Sequence, residues 1–339
     1  MKYKLLNVPS NLGRNNIGDY VQALAASQYY PSIDGFVNRE TLSDYDGEEC
    51  KVVMNGWYMH HPEKWPPSDK IIPLFVAFHL NDSVKDKMLS DEGVSYLKKH
   101  EPIGCRDHYT ESLLQSHGIE AYFSGCLTLT LGLKYKSEKK SGKVYIVDPM
   151  IPNSRGIVDL IKDCWTFIKH PTRIICINKK LKPCKGLFRS LGITSRFYRT
   201  YAVWFDPIAL ENAVYIIQES REYAEIESDM ERLKIAEELV KGYAQASFVI
   251  TSRIHCALPC IGLETPVYFV RDENAGFIST CRYDGLIDLF NVFYCNSKRI
   301  KPDFNLNERI QTDNVIKNKC FPIELVEKLK KSCNAFVKE

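Results

Sequence analysis

The chain has 339 residues, of which 45% are hydrophobic and 26% are charged, and its formal net charge is +3. This length exceeds that of most single hydrophobic cores, so two domains are expected. The composition is typical of a globular protein. The small net charge, with Lys and Arg spread along the chain, argues against nucleic acid or a membrane surface as the defining partner.

The N-terminus and the cysteines indicate a cytoplasmic protein. The opening MKYKLLNVPSN has one short apolar stretch and no cleavage pattern, so it is not typical of a signal peptide. No stretch approaches the roughly 18 apolar residues of a membrane span. The twelve cysteines include no C-x-x-C pair, so neither a zinc site nor a disulfide framework is expected. We expect no metal and no cofactor.

In the first part of the chain, apolar runs of strand length alternate with helical stretches. The loop at 9–16 leads into a helix at 17–30. A second helix begins at Asp107 and ends at Gly118, a residue that favours the left-handed conformation at a helix end. The predicted strands are 3–8, 51–56, 74–80, 102–105 and 121–131. This alternation is typical of parallel α/β units.

The alternation restarts after a polar, lysine-rich stretch that we assign as a linker at 136–143. A helix at 228–246 has a capping box of Ser228 and Glu231, and 321–339 is helical. The predicted strands are 144–149, 173–178, 213–218, 247–251 and 266–270. The domains are therefore 1–135 and 144–310, and the C-terminal helical segment 311–339 is a candidate to pack back on the first domain. A cleft between two such domains is where the carboxyl ends of parallel strands place ligands.

Three predicted strand-to-helix junctions carry an arginine: Arg14, Arg106 and Arg253. A helix N-terminus already favours an anion, and an arginine adds a planar fork that fits phosphate or carboxylate. Several such arginines converging on one cleft would indicate a small, multiply charged substrate. The hydroxyl of Ser252 either caps the following helix or faces the ligand, and the two roles are compatible.

His255 follows Arg253 closely, in the first turn of a helix at the edge of the cleft. The helix N-terminus disfavours the cationic form of this histidine, and a bound dianion would raise its pKa again. His255 is therefore a candidate proton donor. Asp107 lies where an N-cap belongs, and we expect it to accept from the backbone of Thr110.

Further candidates lie at the end of one predicted strand and the beginning of the first helix. His79 ends the apolar run at 74–80. Asn16 and Asp19 open the helix at 17–30, where Gly18 permits close backbone approach. Asp19 either interacts with the helix dipole or acts as a base for a sugar hydroxyl.

The long loop at 55–68 is rich in aromatic residues and histidine. Trp57 and Trp65 either stack on a sugar or cover the core. The adjacent His60 and His61 point in different directions, so they are poor metal ligands as a pair.

Four stretches together resemble the polysaccharide pyruvyl transferase family. They are the N-x-G-D opening at 16–19, IGCRD at 103–107, VDP at 147–149 and ITSRIHCALPCIGLETPV at 250–267. The resemblance covers most of residues 10–270, and its most specific element is R-x-H. The NGW stretch at 55–57 departs from the glycine-rich run of many members, which leaves the acceptor side open.

The resemblance implies two Rossmann-like domains facing a cleft, similar to the glycosyltransferase B type. It implies transfer of pyruvate from phosphoenolpyruvate onto two sugar hydroxyls as a ketal, in surface polysaccharide biosynthesis. Arg106, Arg253 and His255 would contact the donor, and the base would be Asp19 or His79. The acceptor would be a sugar or a lipid-linked oligosaccharide, which brings at most peripheral membrane contact. The scheme requires no metal.

Two alternatives stay open. The same fold supports a glycosyltransferase that uses a nucleotide sugar, with Arg253 holding the diphosphate and Glu264 the ribose. A catalytically silent protein that binds an anionic glycan would also keep a basic cleft.

Overall fold

The structure is a computed structural model that describes residues 1–9, 13–153 and 156–338. Residues 10–12 of the predicted loop and Glu339 of the predicted last helix lie outside them. The fold is mixed α/β with parallel sheets, as the alternating pattern predicts. No helix in these ranges is both long and apolar enough to cross a membrane.

The strands are β1 (Lys2–Tyr3), β2 (Leu5–Asn7), β3 (Asn15–Asn16), β4 (Phe36–Asn38), β5 (Cys50–Val53), β6 (Gly56–Tyr58), β7 (Ile71–Leu74), β8 (Phe78–Leu80), β9 (Ile103–Cys105), β10 (Ala121–Phe123), β11 (Val144–Val147), β12 (Val214–Ile216), β13 (Glu219–Ser220), β14 (Phe248–Thr251), β15 (Val267–Asp272), β16 (Asn291–Cys295) and β17 (Ile300–Pro302). The helices are α1 (Ile17–Ser27), α2 (Lys85–Met88), α3 (Asp91–Lys99), α4 (His108–Ser116), α5 (Gly132–Tyr135), α6 (Ile157–Lys169), α7 (Pro171–Leu181), α8 (Leu187–Tyr201), α9 (Pro207–Asn212), α10 (Arg221–Ala224), α11 (Asp229–Gln245), α12 (Ile254–Gly262), α13 (Phe277–Thr280) and α14 (Ile323–Lys338).

The N-terminal strands form an interrupted parallel layer. One sheet has the order β1-β5-β7 and the next β10-β9-β8-β6. Hydrogen bonds continue between them, because the NH of Met54 donates to the carbonyl of Leu74 (2.8 Å) and that of Gly56 to the carbonyl of Ala77 (3.1 Å). Ala77 has a φ of +54°. This left-handed residue ends the ladder locally, so the single strand predicted at 74–80 is instead the pair β7 and β8.

The C-terminal sheet has six strands in the order β12-β11-β14-β15-β16-β17, and only the last pair is antiparallel. The strands predicted at 144–149, 213–218, 247–251 and 266–270 are confirmed as β11, β12, β14 and β15. The carboxyl end of β14 leads directly through Arg253 into α12. This junction lies at the sheet edge where parallel α/β proteins bind ligands.

The largest hydrophobic core contains residues from both sides of the predicted linker at 136–143. Ile17 of α1 packs in the same cluster as Val240 of α11 and Ile254 of α12, and all are almost completely buried. The helix α1 therefore lies against the C-terminal half of the chain. The division into domains stays a prediction.

The C-terminal helix α14 contacts the N-terminal strands. Lys51 donates from Nζ to the backbone carbonyl of Phe336 (2.6 Å), and the hydroxyl of Tyr3 donates to the carbonyl of Val337 (3.1 Å). The helix begins at Ile323, close to the predicted start. Its buried apolar residues therefore belong to the largest core, which also contains residues of the C-terminal half.

Two predicted strands are wrong. Residues 173–178 lie in α7, where Pro171 occupies the first turn and the buried residues Ile174, Ile177 and Leu181 recur at helical spacing. The composition of this isoleucine-rich run suits a strand, but its pattern of burial is that of a helix. The strand predicted at 121–131 ends at Phe123, and a 3₁₀ helix covers Leu127–Leu131.

The predicted caps at Asp107 and Gly118 are confirmed, and so is one of the two hydrogen bonds of the predicted capping box. The carboxylate of Asp107 accepts from the NH of Thr110 (2.9 Å) at the beginning of α4, and Gly118 follows that helix with a φ of +69°. At the beginning of α11, Ser228 Oγ accepts from the NH of Glu231 (3.4 Å).

Candidate active site

A cavity of about 260 Å³ lies where α1 meets the carboxyl end of β14. Its lining residues come from both sides of the predicted linker at 136–143. Among the described residues, the lining is Val8, Pro9, Arg14, Asn16, Asp19, Arg39, Trp57, His60, Glu219, Arg253, His255 and Arg282. Of the predicted site residues, the structure thus brings Arg14, Asn16, Asp19, Arg253 and His255 to one cavity, and it leaves Arg106, His79 and Ser252 out of that lining.

The beginning of α1 is fixed against the C-terminal half. β3 pairs antiparallel with β13, and the NH of Ile17 donates to the carbonyl of Gln218 (2.8 Å). Asn16 caps the helix, because its side-chain oxygen accepts from the NH of Gly18 (3.0 Å). A Cβ at Gly18 would lie 3.3 Å from the Cβ of His255. Glycine at this position therefore allows α1 to approach His255.

Arg253 is held by two carboxylates. Its Nε donates to Asp148 (2.8 Å) and its Nη2 lies 3.4 Å from Glu219. The hydroxyl of Ser252 donates to the backbone carbonyl of Asp148 (2.6 Å), so Ser252 supports the loop that carries this carboxylate. The half-exposed guanidinium of Arg253 is therefore pointed at the cavity by a defined partner.

His255 is only 7% exposed, and its Nε2 has no hydrogen-bond partner among the described residues. Burial, and next the guanidinium of Arg106, hold the pKa of His255 well below its usual range. The other guanidinium groups that lower this pKa are those of Arg282, Arg39 and Arg253. The imidazole is therefore neutral at neutral pH, and its pKa is shifted in the direction that the sequence predicts. The main physical cause is burial among cations.

Arg106 is completely buried and is not part of the cavity lining. Within the part of the chain that the structure describes, none of its three guanidinium nitrogens has a hydrogen-bond partner. Its nearest carboxylate is Asp107, at 3.6 Å from Nε. Burial lowers the pKa of Arg106. A buried guanidinium without hydrogen bonds is costly, and an anion reaching it would relieve that cost.

His79 lies beside Asp107 instead of in the cavity wall. Its Nδ1 is 2.6 Å from the carboxylate of Asp107 and 3.2 Å from the hydroxyl of Thr110. Burial, and next the charge of Arg106, lower the pKa of His79 to about 4. This neutral ring supports Asp107, which in turn faces Arg106.

Asp19 and Arg39 form the opposite wall of the cavity. Arg39 Nη1 lies 3.7 Å from Asp19, and Gln22 donates to the same carboxylate oxygen (3.0 Å). Burial raises the pKa of Asp19, and Arg39 offsets this only in part. Arg39 also donates twice to Glu40, at 3.0 and 2.9 Å. Asp19 is therefore a carboxyl group that holds its proton more strongly than an ordinary carboxyl does.

Sequence reasoning missed Arg39 and Arg282. Both lie in short 3₁₀ helices, Arg39–Asp44 and Cys281–Tyr283, and not at the end of a regular strand. The Nε of Arg282 has no hydrogen-bond partner among the described residues. The only local signal for either arginine is that Arg39 directly follows the strand β4.

The aromatic loop contributes one tryptophan to the cavity and one to the core. The guanidinium of Arg39 lies 5.5 Å from the ring centre of Trp57, which also contacts the ring of His60. Trp65 is buried among aromatic residues of the N-terminal core. Glu264, the residue considered for a ribose, is outside the lining and pairs with Lys136.

The described residues contain no group of three or more His, Cys, Asp or Glu side chains that could hold a metal ion. The cavity instead gathers guanidinium groups around one imidazole and one carboxyl. Such a set can bind a small molecule with more than one negative charge and exchange protons with it.

Neither the curated proteins nor the solved structures gave a match to the chain. The family model for polysaccharide pyruvyl transferase matches residues 16–274, which include the cavity residues Asp19, Arg253 and His255. The resemblance of the four sequence stretches is thereby confirmed. The chain belongs to the polysaccharide pyruvyl transferase family and is a transferase enzyme.

Proposed function

We propose that this enzyme transfers the pyruvyl group of phosphoenolpyruvate to two hydroxyls of a sugar, as a ketal, during surface polysaccharide biosynthesis. The observation that carries the proposal is the neutral, buried His255 with guanidinium groups on several sides. Phosphoenolpyruvate carries a carboxylate and a phosphate on a three-carbon unit, so it matches a compact cluster of cations.

The cavity size supports a small donor over a nucleotide sugar. Its volume of about 260 Å³ lies below the roughly 300–1,000 Å³ typical of pockets for drug-sized ligands. Glu264, the candidate ribose contact, is engaged with Lys136 elsewhere.

In the proposed site, Arg253, Arg282 and Arg106 neutralise the donor anions. Arg253 has a fixed orientation through Asp148 (2.8 Å). Arg106 and Arg282 have nitrogens without a partner among the described residues, so they can offer new hydrogen bonds to oxygen. Charge-assisted hydrogen bonds of this kind are among the strong ones.

His255 is the proposed acid. The incoming donor charge raises its pKa, so it takes up a proton and delivers it to the methylene carbon. A sugar hydroxyl then attacks C2, phosphate leaves, and a second hydroxyl closes the ketal. Of the two hydroxyl protons, one replaces the proton given to the methyl carbon and the other leaves with phosphate. Asp19 is the proposed base for the hydroxyls, because its raised pKa makes it a stronger base than an ordinary carboxylate.

We also propose that the predicted domains, 1–135 and 144–310, face each other in an arrangement of the glycosyltransferase B type. Parallel sheets on both sides of the cavity support this, and so do lining residues from both halves. Trp57, which lines the cavity, is the proposed residue for stacking on the sugar.

The test uses the purified enzyme with phosphoenolpyruvate and a panel of glycosides whose hydroxyl pairs can close a five- or six-membered ring. We expect phosphate release and an acceptor mass gain equal to pyruvic acid less one water, both absent with His255→Gln. Sugar transfer from a nucleotide sugar, without consumption of phosphoenolpyruvate, would contradict the proposal.

A further inference from the structure

The helix α6 (Ile157–Lys169) turns its apolar side to solvent. Its exposed apolar residues recur at helical spacing and are between 56% and 75% exposed. They are Ile157, Val158, Leu160, Ile161, Trp165 and Ile168. Single exposed apolar residues are normal on protein surfaces, but a continuous stripe of six along one helix marks an interaction surface.

The acidic residues of α6 point the other way. Asp163 is buried and accepts from Arg196 (2.6 Å) and Arg199 (3.0 Å) of α8, and Asp159 lies 3.6 Å from Arg199. The side of α6 that faces the protein is therefore held by ion pairs. The charged residues left on its exposed side are Lys162 and Lys169.

The beginning of α8 extends the same surface. The ion pairs match earlier residues of α6 with later residues of α8, so the two helices run antiparallel. Leu187 and Phe188 at the beginning of α8 consequently lie at the end of α6 that carries Ile168. They are 64% and 89% exposed.

The chain around this surface is strongly basic. Residues 157–205 contain ten Lys and Arg and only two acidic residues, Asp159 and Asp163, which pair with Arg196 and Arg199. Lys182, Lys185 and Arg189, next to Phe188, are all exposed. This segment therefore carries an excess of positive charge, although Lys and Arg are spread along the chain as a whole.

We propose that this α6–α8 surface, defined by the exposed apolar residues of α6, Leu187, Phe188 and the cations Lys162, Lys169, Lys182, Lys185 and Arg189, binds the surface of an anionic membrane. Apolar side chains bordered by lysine and arginine are the combination that inserts at the interface while contacting acidic headgroups. The surface provides both parts.

Charge favours a membrane over the other occupants. A second copy of the chain would bring a cationic border against a cationic border, which repels. A nucleic acid would use the cations but would leave the apolar stripe of α6 exposed to water. The inference is independent of pyruvyl transfer, although a lipid-linked acceptor would be found at the same interface.

The experiment is co-flotation of the full-length protein with vesicles. One set contains phosphatidylglycerol mixed with phosphatidylcholine, and the other contains phosphatidylcholine alone. We expect binding to the anionic vesicles, weakened by salt, and a blue shift of tryptophan fluorescence that is absent in Trp165→Phe. The double variant Ile161→Glu/Trp165→Glu should bind at least about tenfold more weakly.

Matched controls separate the surface from general effects. Leu133→Glu changes another half-exposed apolar residue and should bind as the wild type does. Lys182→Glu/Lys185→Glu should weaken binding, whereas the same charge change at the exposed Lys328 and Lys331 of α14 should have much less effect. All changed residues of α6 are exposed, and circular dichroism checks that each variant is folded.

Two outcomes would overturn the proposal. One is failure of the wild type to bind anionic vesicles. The other is a dimer in solution that Ile161→Glu/Trp165→Glu converts to a monomer, which would assign the surface to a second copy.

Discussion

Arg106 and His255 are both buried, and among the neighbouring charges that of Arg106 lowers the pKa of His255 the most. Neither the guanidinium of Arg106 nor Nε2 of His255 has a hydrogen-bond partner among the described residues. The site thus contains a buried cation and a buried imidazole that both have nitrogens without hydrogen-bond partners among the described residues. An anion that reaches both would gain more from binding than it would from either alone.

Donor binding should be coupled to proton uptake. At neutral pH the imidazole of His255 is neutral, because its pKa lies well below 6.5. The donor's negative charge raises that pKa, so the complex holds more protons than the free enzyme. Calorimetric titration with phosphoenolpyruvate in two buffers of different ionisation heat measures this number.

His255→Gln isolates the contribution of the histidine. The ionisation of the donor phosphate is common to both proteins, so the difference in proton uptake reports His255. Equal uptake by wild type and His255→Gln would assign the proton elsewhere, and Asp19→Asn would then be the next variant to measure.

Arg106→Met should stabilise the ligand-free enzyme while weakening donor binding. Removing a buried guanidinium without hydrogen bonds should raise the free energy of unfolding by about 1–3 kcal/mol. The donor KM should rise about tenfold or more, since a charge-assisted contact is lost. Urea unfolding and steady-state kinetics measure the two effects.

Arg282→Met is the matched control, because Arg282 lines the cavity and is half-buried. It should raise the donor KM with little change in stability. A ligand-free Arg106→Met enzyme that is less stable than the wild type, with an unchanged KM, would make Arg106 a structural residue.

Gly18→Ala should impair catalysis through His255. The new Cβ would lie 3.3 Å from the Cβ of His255 and 3.0 Å from Oδ1 of Asn16, so a neighbour must shift. We expect a loss of about 1–2 kcal/mol in stability and a lower kcat. Gly192→Ala in α8, where a Cβ meets nothing within 4 Å, should instead add about 0.5–1 kcal/mol. Equal behaviour of the two variants would refute the contact argument.

Asp148→Asn should raise the donor KM more than Glu219→Gln does. Asp148 accepts from Arg253 Nε at 2.8 Å and from the NH of Gln218 at 3.0 Å, whereas Glu219 lies 3.4 Å from Arg253. The amide that replaces the carboxylate would still fill the space, so stability should change little. If both variants have the wild-type KM, the orientation of Arg253 by Asp148 does not matter for donor binding.

Stability should fall as the pH is lowered from about 6.5 towards 4. The folded state lowers the pKa of His79 from 6.5 to about 4, so between these values the unfolded chain binds more protons. The unfolding free energy therefore rises with pH in this window, by at most about 3 kcal/mol from His79. His255 acts in the same direction. Urea unfolding at several pH values should give a shallower dependence for His79→Gln than for the wild type, and the exposed His117→Gln should match the wild type.

The sequence predicts those parts of the site that follow regular elements. Arg253 and His255 are predicted because a strand ends and a helix begins there, and Asn16 and Asp19 because they open a helix. Arg39 and Arg282 could not be found in this way, since tertiary packing brings two short 3₁₀ helices to the cavity.

The fold, like the site, was predicted from the sequence only in part. Buried parallel strands such as β14 are clear from continuous apolar runs. The isoleucine run at 173–178 was misassigned because its composition suits a strand, while its burial follows the helical spacing of Ile174, Ile177 and Leu181. The outward apolar face of α6 was not predicted either, because only the structure shows that the side of α6 carrying Asp163 faces the protein.

The most direct test of the account is a calorimetric titration of the enzyme with phosphoenolpyruvate, with uridine diphosphate as the comparison ligand. We expect saturable binding of phosphoenolpyruvate that is lost in Arg253→Ala, and no comparable binding of the nucleotide. Binding of uridine diphosphate alone would contradict it and would assign the cavity to a nucleotide-sugar donor.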